Sequence, residues 1–313
     1  MTLDTTIPEA GGNVLVSERQ VPWMTLGQLV DEPMTATEAA KLGGLDFDVE
    51  LRPVYYGAVD GGDYVKITNR RAVIRSDTGT PLGIVSKNYP VLQYGEAFSF
   101  MDGVSPHYVA AGALKGGRQG FMVVKAPGTT KLLTRVDPHD LYLVLRTSHD
   151  CTRAIEVTAM PLRGRCMNQL TLRSFTSGVP YRWTVRHTTT MRERLAEAQL
   201  SLENLGAYGK QYETVAKRLI EIKITKPQAT KLLENVFPDR PQRGSRIEQI
   251  LSSWTTDPTV GFDGTGWGLL NAVSGHMEWQ RPGGNPESRF VGALQGPTHQ
   301  TINRVAARLL SRA

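Results

Sequence analysis

Five residues near the middle of the chain carry side chains that could do chemistry: His149, Asp150, Cys151, Cys166 and His187. A zinc site would draw on His149, Cys151 and Cys166 with His187 as a fourth ligand, and a thiol nucleophile would pair either cysteine with His149. Arg165 beside Cys166 could lower a thiol pKa. The spacing argues against both sites, because there is no Cys-x-x-Cys pair and no His-Glu-x-x-His. Asp46, Asp48 and Glu50 alternate as one face of a strand and could hold the divalent cation of a nuclease, although carboxylates on a solvated face are commoner. Gly264-Thr265-Gly266-Trp267-Gly268 lacks the strand and lysine of a phosphate loop, and Gly112 to Gly120 lacks the helix of a dinucleotide fingerprint. Nucleotide hydrolysis and hydride transfer thus have no support, and no cofactor or metal is expected.

What the sequence offers instead is arginine. Between residues 153 and 186 stand Arg153, Arg163, Arg165, Arg173, Arg182 and Arg186 against a single acid, Glu156, and no lysine lies between Lys131 and Lys210. A guanidinium grips phosphate bidentately and stacks on bases, whereas lysine is a point charge on a flexible stem. The net charge of +6 hides an asymmetry: residues 1–50 sum to −7, residues 51–186 to +9 and residues 187–313 to +4. The tract fits a polyanion partner, and it fits equally a solvated face in an arginine-rich composition.

The elements that must position these groups follow from periodicity. With 313 residues, 40% of them hydrophobic and 21% charged, the chain has the composition of a globular protein. No apolar run approaches the ~20 residues of a membrane span, so no membrane partner is expected. The first thirty residues lack a secretory pattern, which makes a reducing cytoplasm and free cysteines the expectation.

The expected fold is α+β: an antiparallel β-sheet N-terminal region, then a long heptad helix and a C-terminal helical region. Residues 1–45 read as an acidic, loosely ordered segment with a short helix capped by Thr35 and Glu38. Residues 46–187 read as the β-rich domain and residues 188–313 as the helical one. Tyr108 to Leu114 and Phe121 to Lys125 flank the turn Lys115-Gly116-Gly117-Arg118. Tyr181 to Arg186 alternates cleanly, which predicts one buried face and one basic face. Met191, Leu195, Ala198, Leu202, Leu205, Tyr208 or Gly209, Tyr212, Val215 or Ala216, and Leu219 recur every three or four residues, predicting one helix over about 190–223, roughly 50 Å long. Shorter helices follow, one starting at a Ser245/Glu248 capping box.

Thr147-Ser148-His149-Asp150 with Cys166-Met167-Asn168-Gln169-Leu170 resembles the phage/plasmid-like protein family, also called domain of unknown function 932. Leu82-Gly83-Ile84-Val85 through Tyr89, Ala111-Gly112-Ala113-Leu114, Arg186-His187-Thr188 and Thr265-Gly266-Trp267-Gly268-Leu269 are similar to further blocks of that family. The motif positions carried over are Ser148, His149, Asp150, Cys166, Asn168 and His187. Cys151 stands where the family usually has glycine, and Gln169 where it usually has threonine. The resemblance implies a mobile-element protein acting on DNA or on a host process, with phage or host recombination proteins as partners.

Together these readings predict a nucleic-acid-binding protein, a single-stranded DNA binder or strand annealer acting as a homo-oligomer. Arg146, Arg163, Arg165, Arg173, Arg182 and Arg186 would hold phosphates without nucleotide hydrolysis. The alternatives are a metal- or thiol-dependent enzyme acting on nucleic acid and a protein-interaction module targeting a host factor.

Overall fold

Tyr108–Leu114 and Leu141–Leu145 are continuous apolar runs, and in the computed structural model the strands that hold them are covered on both sides. The structure describes residues 14–16, 28–29, 34–57, 62–99, 101–102, 108–126, 131–133, 136–163, 170, 172, 182–201, 205–258, 260–280 and 286–312. It is an α+β fold with largely antiparallel sheets, most strands preceding most helices.

Eleven strands are seen among the described residues. Near the start, β1 (Val14–Val16) and β2 (Gln28–Leu29) pair with each other in parallel. A smaller sheet follows, formed in order by β3 (Val49–Tyr56), β4 (Val65–Arg75) and β5 (Pro81–Ser86). The remaining strands are β6 (Tyr108–Leu114), β7 (Gln119–Lys125), β8 (Lys131–Leu132), β9 (His139–Ser148), β10 (Ile155–Arg163) and β11 (Arg182–Val185). They build the larger sheet in the order β11-β10-β9-β7-β6-β1-β2, with β8 on β9. The β6–β7 hairpin turns at Lys115–Gly117, where Gly116 and Gly117 take positive φ, as the glycines there require.

Helix α1 (Ala36–Leu42) precedes the small sheet and α2 (Tyr94–Ser99) follows it. The rest are α3 (Met191–Ser201), α4 (Leu205–Glu221), α5 (Lys226–Val236), α6 (Arg243–Thr256), α7 (Gly266–Gly275), α8 (Pro286–Gln295) and α9 (Pro297–Leu310). The Thr35/Glu38 capping box forms at α1, and Thr225 with Gln228 caps α5. The box expected at Ser245 does not form: α6 begins two residues earlier, and the Ser245 hydroxyl donates to the Gln242 carbonyl from within the first turn.

Both faces of the central sheet carry apolar cores, where the alternation of Tyr181 to Arg186 predicted one buried and one basic face. Met122, Val124, Leu143, Leu145, Val157 and Ala159 enter a core that also takes in Tyr94, Tyr212 and Trp267. Phe121, Val123, Tyr142, Val144 and Met160 form a second core, closed by Phe290 and Leu294 of α8. Each large apolar side chain buried in this way stabilises by roughly 1.5–3 kcal/mol, so leaving the second face wet would forfeit a major share of the fold's stability.

The heptad stripe is helical in α3 and α4, with residues 202–204 outside the described residues. It faces inward. Met191 and Leu195 pack with Ile155 and Val185, and Tyr208, Tyr212, Ala216 and Leu219 join the main core, so over these residues the partner of the stripe is the chain itself. No helix among the described residues is long and apolar enough to cross a membrane.

Candidate nucleic-acid interface

The β9–β10 hairpin holds three of the six expected motif positions: Ser148 at the end of β9, with His149 and Asp150 in the loop. Ser148 Oγ accepts from the Arg153 amide at 3.0 Å and donates to the Arg153 carbonyl, closing the loop. Asp150 Oδ1 accepts from the Thr152 amide at 2.9 Å and from its hydroxyl, an Asx turn. Between them Cys151 adopts φ +58, the left-handed region in which glycine costs least. The loop lies against β5 so closely that a Cβ on Gly83 would come within 2.8 Å of the Asp150 Cα.

The histidines of the motif are packing groups. The His149 ring is buried 4.1 Å from the Tyr94 centroid, and burial, then the neighbouring His187, lowers its pKa to about 3. His187 stacks on Tyr89 at 5.4 Å, and its Nε2 lies 3.2 Å from the Thr147 hydroxyl; burial lowers its pKa to about 4. Burial raises the pKa of the Cys151 thiol, which lies beside the Tyr89 hydroxyl, so the thiolate is disfavoured. Ser148 thus closes the loop on itself, while Asp150 packs against Gly83 of β5 and His149 against Tyr94 of α2. Cys166 and Asn168 lie outside the described residues, and among the described residues no group of three or more His, Cys, Asp or Glu could hold a metal ion.

The arginines divide. Arg163 is fully enclosed: its Nε donates to Asp137 Oδ2 at 2.7 Å and its Nη2 to the Val260 carbonyl at 2.8 Å. This removes it from the expected phosphate contacts, because a buried carboxylate already claims it. Arg146 is likewise no open-groove residue. Strand register sets it directly opposite Glu156, and the two are buried with Arg146 Nη2 2.8 Å from Glu156 Oε2. Arg153 and Arg182 join the same carboxylate from partly exposed positions, and Arg186 is exposed. Arg165 and Arg173 lie outside the described residues.

A different surface combines open cations with aromatic rings, and the arginine tract gave no hint of it. At the outer end of the small sheet, Tyr55 pairs across the strands with Lys66, and Tyr56 with Val65. Successive strand residues point to opposite faces, yet Tyr55 is 52% and Tyr56 55% exposed, so both faces of this hairpin end meet solvent. Tyr64 just before β4 is 78% exposed, and Arg70 and Lys87 are exposed beside Asn69, whose carbonyl accepts from the Lys87 amide. Glu50 pairs with Arg52 on the same sheet, leaving Lys66, Arg70 and Lys87 outside the ion pairs seen among the described residues. The sequence signal was Tyr55-Tyr56 and Tyr64 set among Arg52, Lys66, Arg70, Arg71 and Lys87.

A family model described as "Domain of unknown function (DUF932)" matches residues 81–309, well over half of the chain. The chain belongs to this family. No curated protein and no solved structure matches it. The DUF932 match takes in Gly83, the Thr147–Asp150 loop, His187 and the Gly266–Gly268 block. It starts at β5, so the aromatic hairpin of β3 and β4 lies outside the matched region.

Proposed function

We propose that this DUF932 chain binds single-stranded nucleic acid, DNA in the first instance, on its projecting β3–β4 hairpin. Tyr55, Tyr56 and Tyr64 supply stacking surfaces, and Lys66, Arg70 and Lys87 hold phosphates. The observation that carries the reading is the placement of three exposed tyrosines among cations that make no ion pair among the described residues, where folding gains little from aromatic residues. A two-stranded end wet on both faces is not held by burial, whereas bases stack on such rings at about 1–3 kcal/mol each.

The biological setting proposed with it is strand annealing in a mobile element's recombination, by a cytoplasmic homo-oligomer needing no nucleotide. A continuous helix over 190–223 belongs to the same reading, as the spine that would stiffen each copy. Val65 and Ile84, exposed apolar residues of the small sheet, favour a second reading in which this sheet docks a protein.

Fluorescence anisotropy with a labelled oligo-dT and the matching duplex, at two salt concentrations, tests the proposal. Salt-sensitive binding that prefers the single strand is expected. No binding at low salt would overturn it in favour of protein docking.

A further inference from the structure

Glu156 offers one carboxylate to three guanidinium groups. Arg146 meets it at 2.8 Å, Arg182 through a short contact and Arg153 at 3.9 Å, so the cluster carries two positive charges in excess. The donors do not balance either. Arg146 Nε and Nη1 and Arg182 Nε are buried with no hydrogen-bond partner among the described residues. Arg146 is 3% exposed, and leaving a charged donor unsatisfied in such a place costs at least ~1–3 kcal/mol. Arg153 and Arg182 lie nearer the surface, their side chains 18% and 33% exposed. Excess charge at depth, unfilled donors and two partly open arginines describe a receptor for an anion.

We infer that Arg146, Arg153 and Arg182 form a binding site for a phosphate-like oxyanion that completes the charge of the Glu156 cluster. Strand register builds the site: Arg146 stands opposite Glu156, Glu156 opposite Thr184, and Arg182 two pairs further on, opposite Thr158 and so on the same face as Thr184. Glu156 holds the guanidinium groups together, and the oxyanion takes the N–H groups it leaves over. The oxyanion is either free phosphate or one phosphate of a nucleic-acid backbone. The site does not depend on the β3–β4 hairpin.

Thermal unfolding of the full chain in inorganic phosphate, against chloride at matched ionic strength, reads the site directly. Phosphate is expected to raise the midpoint where chloride does not. Arg182→Gln, one-third exposed and therefore tolerated by the fold, is expected to weaken the apparent phosphate affinity about tenfold or more, the loss of a charged hydrogen bond. Arg194→Gln, an exposed charge on α3, should leave the phosphate effect intact. If Arg182→Gln also weakens oligo-dT binding, the oxyanion is a backbone phosphate; if oligo-dT binding is unchanged, it is the free ion. No phosphate-specific shift, or an equal loss in Arg182→Gln and Arg194→Gln, would overturn the site. Hairpin variants that keep both oligo-dT binding and the phosphate shift would sink the hairpin reading alone.

Discussion

The indole nitrogen of Trp267 donates to Oδ2 of Asp137 at 2.7 Å, across 130 positions of sequence. The same oxygen accepts from Arg163, so one buried carboxylate ties the end of β10 to the start of α7. The glycines beside Trp267 serve this contact. A Cβ on Gly268 would stand 2.3 Å from the Phe262 carbonyl oxygen and one on Gly266 3.1 Å from the Leu219 oxygen, while Thr265 caps the helix through the Gly268 amide. The block is a packing device joining sheet to helices.

Breaking a buried ion pair from one side costs about 3–5 kcal/mol, because a charge is left unpaired, whereas replacing both partners with apolar residues is often close to neutral. Asp137→Leu is therefore expected to lose about that much in urea unfolding, and Asp137→Leu with Arg163→Met to recover more than half of it. A double variant no more stable than the single one would show that the pair is not the unit of stability.

Cys151 yields the opposite sign. Its φ of +58 costs an L-residue roughly 1 kcal/mol that glycine avoids, and no disulfide depends on its thiol. Cys151→Gly is expected to raise the melting midpoint by a few degrees and to leave oligo-dT affinity unchanged. A fall in stability would mean that the contact with Tyr89 outweighs the backbone strain.

These cases show what could be read in the sequence. The Thr35/Glu38 cap, the Lys115–Gly117 turn and the strand-to-helix change were legible because each depends on neighbours along the chain. The fate of the arginines was not. Arg163 and Arg186 look alike in sequence, and only Asp137, brought from 26 positions away, makes one a core residue. The second core went unseen for a similar reason, since the wet or dry state of a strand face is decided by α8, more than 120 residues after β9. The aromatic hairpin was in plain view as Tyr55-Tyr56 and Tyr64, but a strand pattern does not say that both of its faces stay wet.

The buried histidines set the response to acid. Burial lowers the pKa of His139 to about 4, as it lowers His149 to about 3 and His187 to about 4, so all three are neutral in the folded chain. Unfolded, each titrates near 6.5. Below that pH the unfolded chain takes up protons that the folded chain refuses, so stability is full above about pH 7 and is lost as pH falls. At pH 5 the loss is about 2 kcal/mol per histidine. Melting midpoints should drop steeply between pH 7 and 5, and a flat profile there would rule out neutral burial of these rings.

Salt dependence separates the two kinds of contact proposed for the hairpin. Each phosphate neutralised on a single strand adds about 0.7 to the slope of log affinity against log salt, while stacking adds almost nothing to it. Lys66→Gln with Arg70→Gln should therefore weaken oligo-dT binding and reduce the slope by about 1.4. Tyr64→Ala, or Tyr55→Ala with Tyr56→Ala, should cost about 1–3 kcal/mol per ring at every salt concentration and leave the slope where it was. All of these side chains are exposed, so the variants should fold with unchanged melting midpoints. If the tyrosine variants bound like the parent protein while the cation variants did not, the hairpin would be a plain basic patch, and stacking would have to be given up.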